Sequence, residues 1–525
     1  MKVALIAPSY PLSEAPSPPL GLCYVASSCQ EAGANVKIFD YIVRGYTQKK
    51  LIEELSAFKP DIVGAGSVTM NFKIAAEMIR TAKKYNPSII TMLGGCHVSF
   101  DIKNTLDLYP EVDIIVIGES EDTLKELIPV IHKKELWEGI NGIAFRRNNE
   151  IIITNPRDFV ADLDSLPIPS RHFLPMSRYQ ALGFPASIIT SRGCPNKCIF
   201  CLGRKMVGYK VRYRSPKLIV DEIEDIMSYG ITRINIADDI FTANKNRVKA
   251  FCNEIQKRQI NFAWSAFSRV NTIDFETLEM MKNTGCDSVS FGIESGNPEM
   301  LKKIKKGITL DQARYASELC NKVGIIGYAS FIIGLPGETQ ETLMETKSFA
   351  ENLGIKYGYH MLAPFPGTAL REEVEKYDIE ILTNDWDLYD ANRAIVQTSS
   401  LKAKELDNFM DGINNVFEKV WSELKEKYAS GNASDYEKLL VEGNKRMNLI
   451  FKLLSEDILE EIAIKNNETN PVVQVASIIA NITNLEENFV ETVIQSLMDK
   501  GYIKNLNNGE IINWLWTHNN QSECV

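Results

Sequence analysis

The first 135 residues alternate short apolar runs with amphipathic stretches of helical length. The apolar runs predict strands at residues 2–8, 36–39, 62–67, 89–93 and 114–117. The stretches between them predict helices, among them 21–32, 49–58 and 72–85. Because strands separated by single helices form right-handed βαβ units, we predict a doubly wound, Rossmann-like parallel sheet over residues 1–135.

The same alternation returns over residues 184–400. Strands are predicted at 187–190, 233–237, 262–267, 288–293, 327–333 and 357–362. A helix is predicted between the first two strands. Ser215 would cap it, Pro216 would be its first residue, and Gly230 would end it. Six β/α repeats predict a partial TIM-type (β/α)6 barrel, with its chemistry at the carboxyl ends of the strands.

The remaining segments differ in character. Residues 136–183 predict a connector that begins with a hairpin turning at Asn148 and Asn149. Residues 401–525 predict a helical domain that ends in a winged-helix-like unit, since two helices are followed by a hairpin at Asn-Asn-Gly. Between residues 451 and 510, ten acidic residues outnumber four lysines, so we expect this unit to pack or to bind a protein partner and not nucleic acid.

Composition narrows the range of functions. The formal net charge of −10 argues against nucleic-acid binding over the whole chain. No apolar run reaches the roughly 18 residues of a membrane span. The first residues, MKVALIAPSYP, do not fit a signal peptide, so we expect a cytoplasmic protein without a membrane span.

Three cysteines stand close together in the segment SRGCPNKCIFCLG. Cys194, Cys198 and Cys201 are spaced C-x3-C-x2-C, and no further C-x2-C pair completes a four-cysteine zinc site. Ten cysteines in a chain expected to be cytoplasmic favour metal ligands and buried thiols over disulfides. We therefore predict an iron–sulfur cluster with three protein ligands, whose fourth iron stays open.

This loop resembles the one that defines the radical S-adenosylmethionine (SAM) superfamily, which places an aromatic residue, here Phe200, before the third cysteine. The resemblance implies a [4Fe–4S] cluster that binds SAM at its open iron and cleaves it to a 5′-deoxyadenosyl radical. Motifs at later strand ends agree, namely ADDIF at 237–241, GIESG at 292–296 and GLPGE at 334–338. By the same resemblance, the expected SAM contacts are Phe200, Asp238, Arg269, Glu294, Ser295, Gly334 and Gly337, with Asp238 and Asp239 able instead to orient substrate.

The first domain resembles the cobalamin-binding domain of one class of radical SAM enzymes, through PPLGL at 18–22, SVT at 67–69, GGCH at 94–97 and GESE at 118–121. Small residues at strand ends would let a corrin ring lie flat across the sheet edge. The implied cobalamin contacts are Gly21, Leu22, Ser67, Thr69, Gly94, Gly95, His97, Gly118 and Glu119. The Asp-x-His-x-x-Gly signature that supplies a histidine to cobalt is absent, so we expect His97 to pack in its loop or at the corrin edge. A domain that keeps the fold without the cofactor is the alternative.

Together, the two resemblances imply a cobalamin-dependent radical SAM enzyme that transfers a methyl group to an unactivated carbon. The segment YGYHMLAPFPGT at 357–368 is also similar to the group containing anaerobic porphyrin-ring cyclases, so oxidative cyclisation or rearrangement is the second expectation. A non-catalytic cobalamin sensor is a third. A methylthiotransferase would use three amino-terminal cysteines, but Cys23 and Cys29 do not project together from one helix.

The resemblance also implies partners. We expect a small-molecule, lipid or natural-product substrate and an electron donor such as flavodoxin or ferredoxin. The substrate itself is not indicated by the sequence. Its candidate neighbours are Tyr357, Tyr359, His360 and Asp385.

Overall fold

The computed structural model describes residues 1–9, 16–466 and 470–518. The first unit is a seven-stranded sheet in the order β2-β1-β3-β4-β5-β6-β7. Its strands are β1 (Lys2–Ala7), β2 (Asn35–Asp40), β3 (Ile62–Gly66), β4 (Ile90–Gly94), β5 (Ile114–Val116), β6 (Ile143–Arg147) and β7 (Glu150–Ile153). The first five strands pair in parallel, which confirms the predicted doubly wound sheet. Part of the proline-rich loop after β1, residues 10–15, lies outside the described residues.

Helices cover both faces of this sheet. They are α1 (Leu20–Glu31), α2 (Gln48–Phe58), α3 (Phe72–Tyr85), α4 (Cys96–Phe100), α5 (Ile102–Leu108) and α6 (Glu121–Leu127). Successive β1 residues enter opposite cores, with Val3 and Leu5 in one and Ala4 and Ile6 in the other. A strand buried on both faces reads as a continuous apolar run, which explains why these strands could be predicted.

The hairpin at Asn148 and Asn149 belongs to the first sheet. Both asparagines have positive φ, at 49° and 69°, as a two-residue hairpin turn requires. Strand β6 pairs antiparallel with β5 and with β7, so the sheet continues to Ile153. The predicted hairpin is therefore present, but the boundary at residue 135 is wrong because it cuts this sheet.

The second unit is a six-stranded parallel sheet in the order β15-β14-β13-β12-β11-β8. Its strands are β8 (Ala186–Ile188), β11 (Arg233–Ile236), β12 (Ala263–Ser268), β13 (Cys286–Glu294), β14 (Ile326–Ile333) and β15 (Lys356–Met361). A short antiparallel pair, β9 (Ser191–Arg192) and β10 (Arg212–Tyr213), frames the cysteine loop. These six parallel strands match the predicted β/α repeats.

The described residues of this unit form eight α-helices. They are α8 (Gly203–Val207), α9 (Pro216–Ser228), α10 (Lys245–Arg258), α11 (Phe275–Asn283), α12 (Pro298–Lys303), α13 (Leu310–Val323), α14 (Gln340–Glu351) and α15 (Ala369–Glu372). Helices α11, α13 and α14 pack on the sheet of this unit, α10 packs beside α11, and α9 packs beside α10. Helix α7 (Met176–Leu182) lies in the connector between the two units. Ser215 and Pro216 stand at the predicted start of α9, although the Ser215 side chain makes no capping hydrogen bond.

The last part of the chain is mainly helical. It contains β16 (Glu380–Ile381), β17 (Val396–Gln397), α16 (Ala403–Ala429), α17 (Asp435–Ser455), α18 (Ile458–Glu461), β18 (Ala463–Lys465), α19 (Pro471–Thr483), α20 (Glu487–Asp499), β19 (Ile503–Asn507) and β20 (Ile511–Trp516). Helices α19 and α20 followed by the β19–β20 hairpin form the predicted winged-helix arrangement. Among the described residues, no helix is both long and apolar enough to cross a bilayer.

A buried ion-pair triad attaches the connector to the second unit. Glu222 of α9 is fully buried between Arg171 of the connector, at 2.7 Å, and Arg214. Removing one member of such a group leaves an uncompensated buried charge, whose cost exceeds the value of the intact pair. The triad therefore makes the connector intolerant of change at this point.

We predict that Glu222→Gln lowers the free energy of unfolding by about 3–5 kcal/mol, because two buried guanidinium groups lose their shared carboxylate. Thermal unfolding followed by circular dichroism should show a clear fall in the midpoint. The matched control is Asp311→Asn, which breaks an exposed pair with Arg314 and should cost less than about 1 kcal/mol. Equal midpoints for the two variants would contradict this interpretation.

Candidate functional site

The three cysteines lie on a tightly folded loop after β9. Gly193 has a φ of 119°, and a Cβ at this position would overlap the backbone of Lys210. The Cys194 amide donates to the Gly208 carbonyl at 3.0 Å, and the Cys201 amide to the Cys198 carbonyl at 3.3 Å. The loop therefore turns back on itself and brings the three thiols together.

Each of the three sulfurs has a nearby hydrogen-bond donor. Cys194 Sγ accepts from the Asn196 side chain at 3.4 Å, and Cys201 Sγ accepts from the Gly203 amide at 3.3 Å. Cys198 Sγ lies 3.9 Å from Nη1 of Arg269. Desolvation raises the pKa of Cys201 to about 11, and a bound metal would favour its thiolate form.

These cysteines suit a cluster better than a single ion. In the described parts of the chain, no group of three or more Cys, His, Asp or Glu side chains is arranged to hold one metal ion. Ligands of a cubic cluster sit at its corners and are farther apart than the ligands of one ion. Three thiolates on one loop, each with a donor, fit a [4Fe–4S] cluster with one iron free of protein ligands.

Phe200 of this loop lies close to Arg269 and Glu294, and the contact of these three residues with SAM stays a prediction. They meet around Lys306, which sequence reasoning missed. The Lys306 ammonium lies 2.6 Å from the Glu294 carboxylate and 5.9 Å from the centre of the Phe200 ring. The Lys306 carbonyl accepts a hydrogen bond from Arg269. The only sequence signal was the basic run before Gly307, which is also typical of a solvated helix end.

Two features of the group formed by Phe200, Arg269, Glu294 and Lys306 fit a ligand site. Arg269 is 6% exposed, and its buried Nε has no hydrogen-bond partner among the described residues. Glu294 ends β13 with a φ of 75°, a conformation that is uncommon for a residue with a Cβ. An unused buried donor beside the cysteine loop is suited to the carboxylate of SAM.

The remaining predicted SAM contacts have roles within the protein. Asp238 accepts from both the amide and the hydroxyl of Thr190 and of Ser191, which fills its carboxylate and argues against contact with SAM. Asp239 lies against the cluster loop instead, because a Cβ on Gly203 would stand 2.9 Å from its carboxylate. The buried Ser295 hydroxyl pairs with Thr346 at 3.1 Å and accepts from the amide of Asn297. It therefore shapes the start of α12 and is not free for a ligand.

Gly334 and Gly337 form the turn after β14. Their φ values are 85° and 72°, which favour glycine. The Gly334 amide donates to Glu338 at 2.6 Å, and burial raises the pKa of Glu338 to about 7. The buried Glu338 carboxylate therefore holds the turn in place. The contact of this turn with SAM stays a prediction.

Small residues gather at the carboxyl edge of the first sheet. Ser67, Gly94 and Gly95 lie side by side, since the Ser67 amide donates to the Gly94 carbonyl at 2.9 Å and a Cβ on Gly95 would overlap Ser67. Added Cβ atoms at Gly21 and Gly118 would meet nothing within 4 Å. This open edge fits a flat macrocycle such as a corrin ring.

His97 is turned into the protein and away from this edge. It is fully buried, with its ring 4.0 Å from that of Phe72 and 5.0 Å from that of Trp386. Its Nδ1 lies 3.3 Å from the Thr69 hydroxyl, and burial lowers its pKa to about 4. Thr69 and His97 therefore pack together under Trp386, so the prediction that they contact cobalamin is not supported, whereas the expected loop-packing role of His97 is.

Two further cobalamin candidates are used by the protein itself. Leu22 is buried, and a Cβ on Gly66 would stand 3.9 Å from it. Glu119 accepts from Arg212 at 2.7 and 2.9 Å and pairs with Arg192 at 3.2 Å. Burial acts to raise the pKa of Glu119, but the two arginines hold it below its ordinary value. Glu119 therefore joins the two units, and a direct cofactor contact is not supported.

The candidate substrate neighbours separate into two groups. Tyr359 is buried against Phe331 and Phe409, and Asp385 pairs with Lys73 on the first unit. His360 projects from the opposite, exposed face of β15. Tyr357 is half-buried, with its ring 5.8 Å from that of Tyr359, so Tyr357 and His360 both keep accessible surface that a substrate could contact.

Comparison with known proteins agrees with this geometry. Residues 13–128 match the B12 binding domain and residues 188–350 match the Radical SAM superfamily. The chain is 35% identical to an uncharacterized methyltransferase of Pyrococcus horikoshii, over 75% of this chain and 86% of that protein. It is 30% identical to the anaerobic magnesium-protoporphyrin IX monomethyl ester cyclase of Rubrivivax gelatinosus, over 72% of each chain.

A solved structure shows the same fold over almost the whole length. The cobalamin-dependent S-adenosylmethionine radical enzyme OxsB, solved with aqua-cobalamin and S-adenosylmethionine bound, aligns with a TM-score of 0.69. The alignment covers 95% of this chain and 79% of that chain, at 19% identity. The predicted combination of a cobalamin-binding domain, a radical SAM sheet and a helical end is therefore confirmed.

Replacing Cys198 with alanine should abolish the cluster, because two thiolates cannot hold it. After anaerobic reconstitution, the variant should lack both the iron content and the thiolate-to-iron absorbance of the unchanged protein. The matched control is Cys96→Ala, which removes a half-buried thiol outside the loop and should leave both signals intact. Full iron content in Cys198→Ala would contradict the assignment.

Proposed function

Because the chain belongs to the radical SAM superfamily, in the group whose members also carry an amino-terminal B12-binding domain, we propose that it methylates an unactivated carbon of a small-molecule substrate. One observation carries the proposal. Arg192 stands two residues before Cys194 and pairs with Glu119 at 3.2 Å, so the cluster loop and the glycine-lined edge are tied together. A substrate held between them would face both sites.

When bound, the cluster would supply the electron that cleaves SAM into methionine and a 5′-deoxyadenosyl radical, and cobalamin would supply the methyl group. The protein's part is to bind, orient and exclude water. Arg269 would donate its unused Nε–H to the carboxylate of SAM. Glu294, held by Lys306, would accept hydrogen bonds from hydroxyl or ammonium groups of SAM.

Water exclusion would come from the segment after β15. Trp386 covers His97 and the turn at residues 69–71, and Arg371 lies over the Trp386 ring at 4.6 Å. Arg371 also donates to the Tyr389 hydroxyl at 2.8 Å. A closed wall at this side would protect a reactive carbon radical from side reactions.

The relatives favour methyl transfer and support cyclisation as the second candidate. The more similar of the two named proteins is called a methyltransferase, at 35% identity, while the cyclase is 30% identical. A non-catalytic sensor is disfavoured, since a sensor has no need of a cysteine loop with an open iron. We further propose a cytoplasmic location and an electron donor such as flavodoxin or ferredoxin.

Methyl transfer predicts that SAM is used in two roles in each turnover. In anaerobic assays with substrate, 5′-deoxyadenosine and S-adenosylhomocysteine should accumulate in about equal amounts, one from the radical step and one from remethylation. With methyl-labelled SAM, mass spectrometry should find the label in the product. Product formed with 5′-deoxyadenosine, but with no S-adenosylhomocysteine and no added methyl mass, would assign the enzyme to cyclisation or rearrangement instead.

The buried position of His97 predicts how cobalamin is held. The protein should bind about one corrinoid per chain, an estimate from its single sheet edge. The electron paramagnetic resonance spectrum of the cob(II)alamin form should show no nitrogen splitting from a lower ligand. His97→Ala should leave this spectrum unchanged. Nitrogen splitting that disappears in His97→Ala would contradict the proposed arrangement.

A further inference from the structure

A turn at residues 304–307 lies beside the cysteine loop. It follows α12 and contains two left-handed positions, with a φ of 54° at Lys305 and of 69° at Gly307. The carbonyl of Ile304 accepts a hydrogen bond from the amide of Ile199 at 3.2 Å. Because Ile199 directly follows the second cysteine of the loop, the turn is attached to the segment that carries the predicted cluster ligands.

The same turn holds Arg269 through its backbone. The Lys306 carbonyl accepts a hydrogen bond from Nη2 of Arg269, and the Lys306 amide donates to the Leu301 carbonyl at 2.9 Å. Nη1 of Arg269 lies 3.9 Å from the Cys198 sulfur. Two nitrogens of the guanidinium therefore have partners, and the buried Nε, unpaired among the described residues, is left for a ligand.

The side chain of Lys306 is bonded to Glu294. Lys306 is 6% exposed, and its ammonium lies 2.6 Å from Oε1 of Glu294. The space around this pair is filled, because a Cβ on Gly292 would stand 2.4 Å from that oxygen and 3.0 Å from the ammonium. Lys306 occupies one oxygen of the carboxylate, and a carboxylate has further acceptor capacity for a ligand. Lys306 therefore determines the direction of the Glu294 carboxylate.

Lys306 also lies beside Phe200 of the cysteine loop. Its ammonium is 5.9 Å from the centre of the Phe200 ring, which is the outer range of a cation–π contact. Phe200 lies on the loop, Arg269 follows β12, and Glu294 ends β13. Three predicted SAM contacts from three elements therefore meet at one residue that was not itself predicted to bind SAM.

We propose that Lys306 is a positioning residue that aligns Glu294 and Arg269 for SAM beside the cysteine loop. Its ammonium acts through Glu294, since it is bonded to that carboxylate, and its backbone acts on Arg269. A preoriented acceptor binds a ligand more tightly than one that must first be ordered. The proposal rests on the SAM site of the proposed function, and it is the same for methyl transfer and for cyclisation.

Binding of SAM to the cluster-loaded protein tests this role and needs no substrate. Equilibrium dialysis with labelled SAM, carried out before the cluster is reduced, measures the dissociation constant without cleavage. Lys306→Met should raise this constant at least about tenfold, since the charged hydrogen bond that orients Glu294 is lost. The matched control is Lys302→Met, at an 81% exposed side chain, which should bind SAM like the unchanged protein.

A double-variant cycle separates positioning from general support of the fold. If the Lys306 ammonium acts through Glu294, adding Lys306→Met to Glu294→Gln should change the dissociation constant of SAM by less than about twofold. A residue that only stabilises the fold would weaken binding by a similar factor in both backgrounds. A further loss of more than about twofold in the combined variant would therefore overturn the proposal.

The same variants guard against misfolding, and iron content and the unfolding midpoint are measured for each. Lys306→Met leaves a buried carboxylate without its partner. Glu294→Gln keeps an oxygen that accepts from Lys306, and the combined variant has neither charge, so these two decide the question where Lys306→Met does not retain iron. Unchanged SAM affinity in Lys306→Met would overturn this proposal alone. An unchanged protein that binds no SAM would overturn it together with the proposed function.

Discussion

The burial of Arg192 between two carboxylates is the constraint on which the site depends. Its guanidinium lies 3.2 Å from Glu119 and 2.5 Å from Glu121, both at the end of the first sheet, and stacks 5.3 Å from the Tyr24 ring. Burial acts to lower the pKa of Arg192, but the two carboxylates raise it, so the group stays charged. Because the cysteine loop begins two residues later, this ion pair fixes where the cluster stands relative to the sheet edge.

The buried ion pairs of Arg192 are better explained by the positions that they fix than by a gain in folding stability. Desolvating charges costs free energy that their attraction only partly returns, and well-packed apolar groups can be as stable. Paired charges, however, tolerate few alternative arrangements. Two cofactors acting on one substrate require a fixed separation, and a buried, multiply bonded arginine restricts the relative movement of the two units.

Much of the fold could be predicted because its strands are buried on both faces and give continuous apolar runs. The hairpin at Asn148 and Asn149 was equally visible, yet its membership of the first sheet was not, since pairing with β5 is a long-range event. The cysteine loop could be predicted because three ligands of one cluster lie within eight residues. The contact of Lys306 with Glu294 and that of Trp386 with His97 could not be predicted, because only the folded chain brings these residues together. Asp238 is the opposite case. It belongs to a motif that was expected to contact SAM, but its carboxylate binds Thr190 and Ser191, just before the cysteine loop.

The central claim is that the cluster loop and the cobalamin edge face one substrate space. Pulsed electron paramagnetic resonance on the protein carrying a reduced cluster and cob(II)alamin measures the dipolar coupling between the two paramagnetic centres. A strong coupling with a narrow distance distribution, broadened in Glu119→Gln, is the predicted result. Two magnetically independent spectra, or a distribution that Glu119→Gln leaves unchanged, would contradict the account.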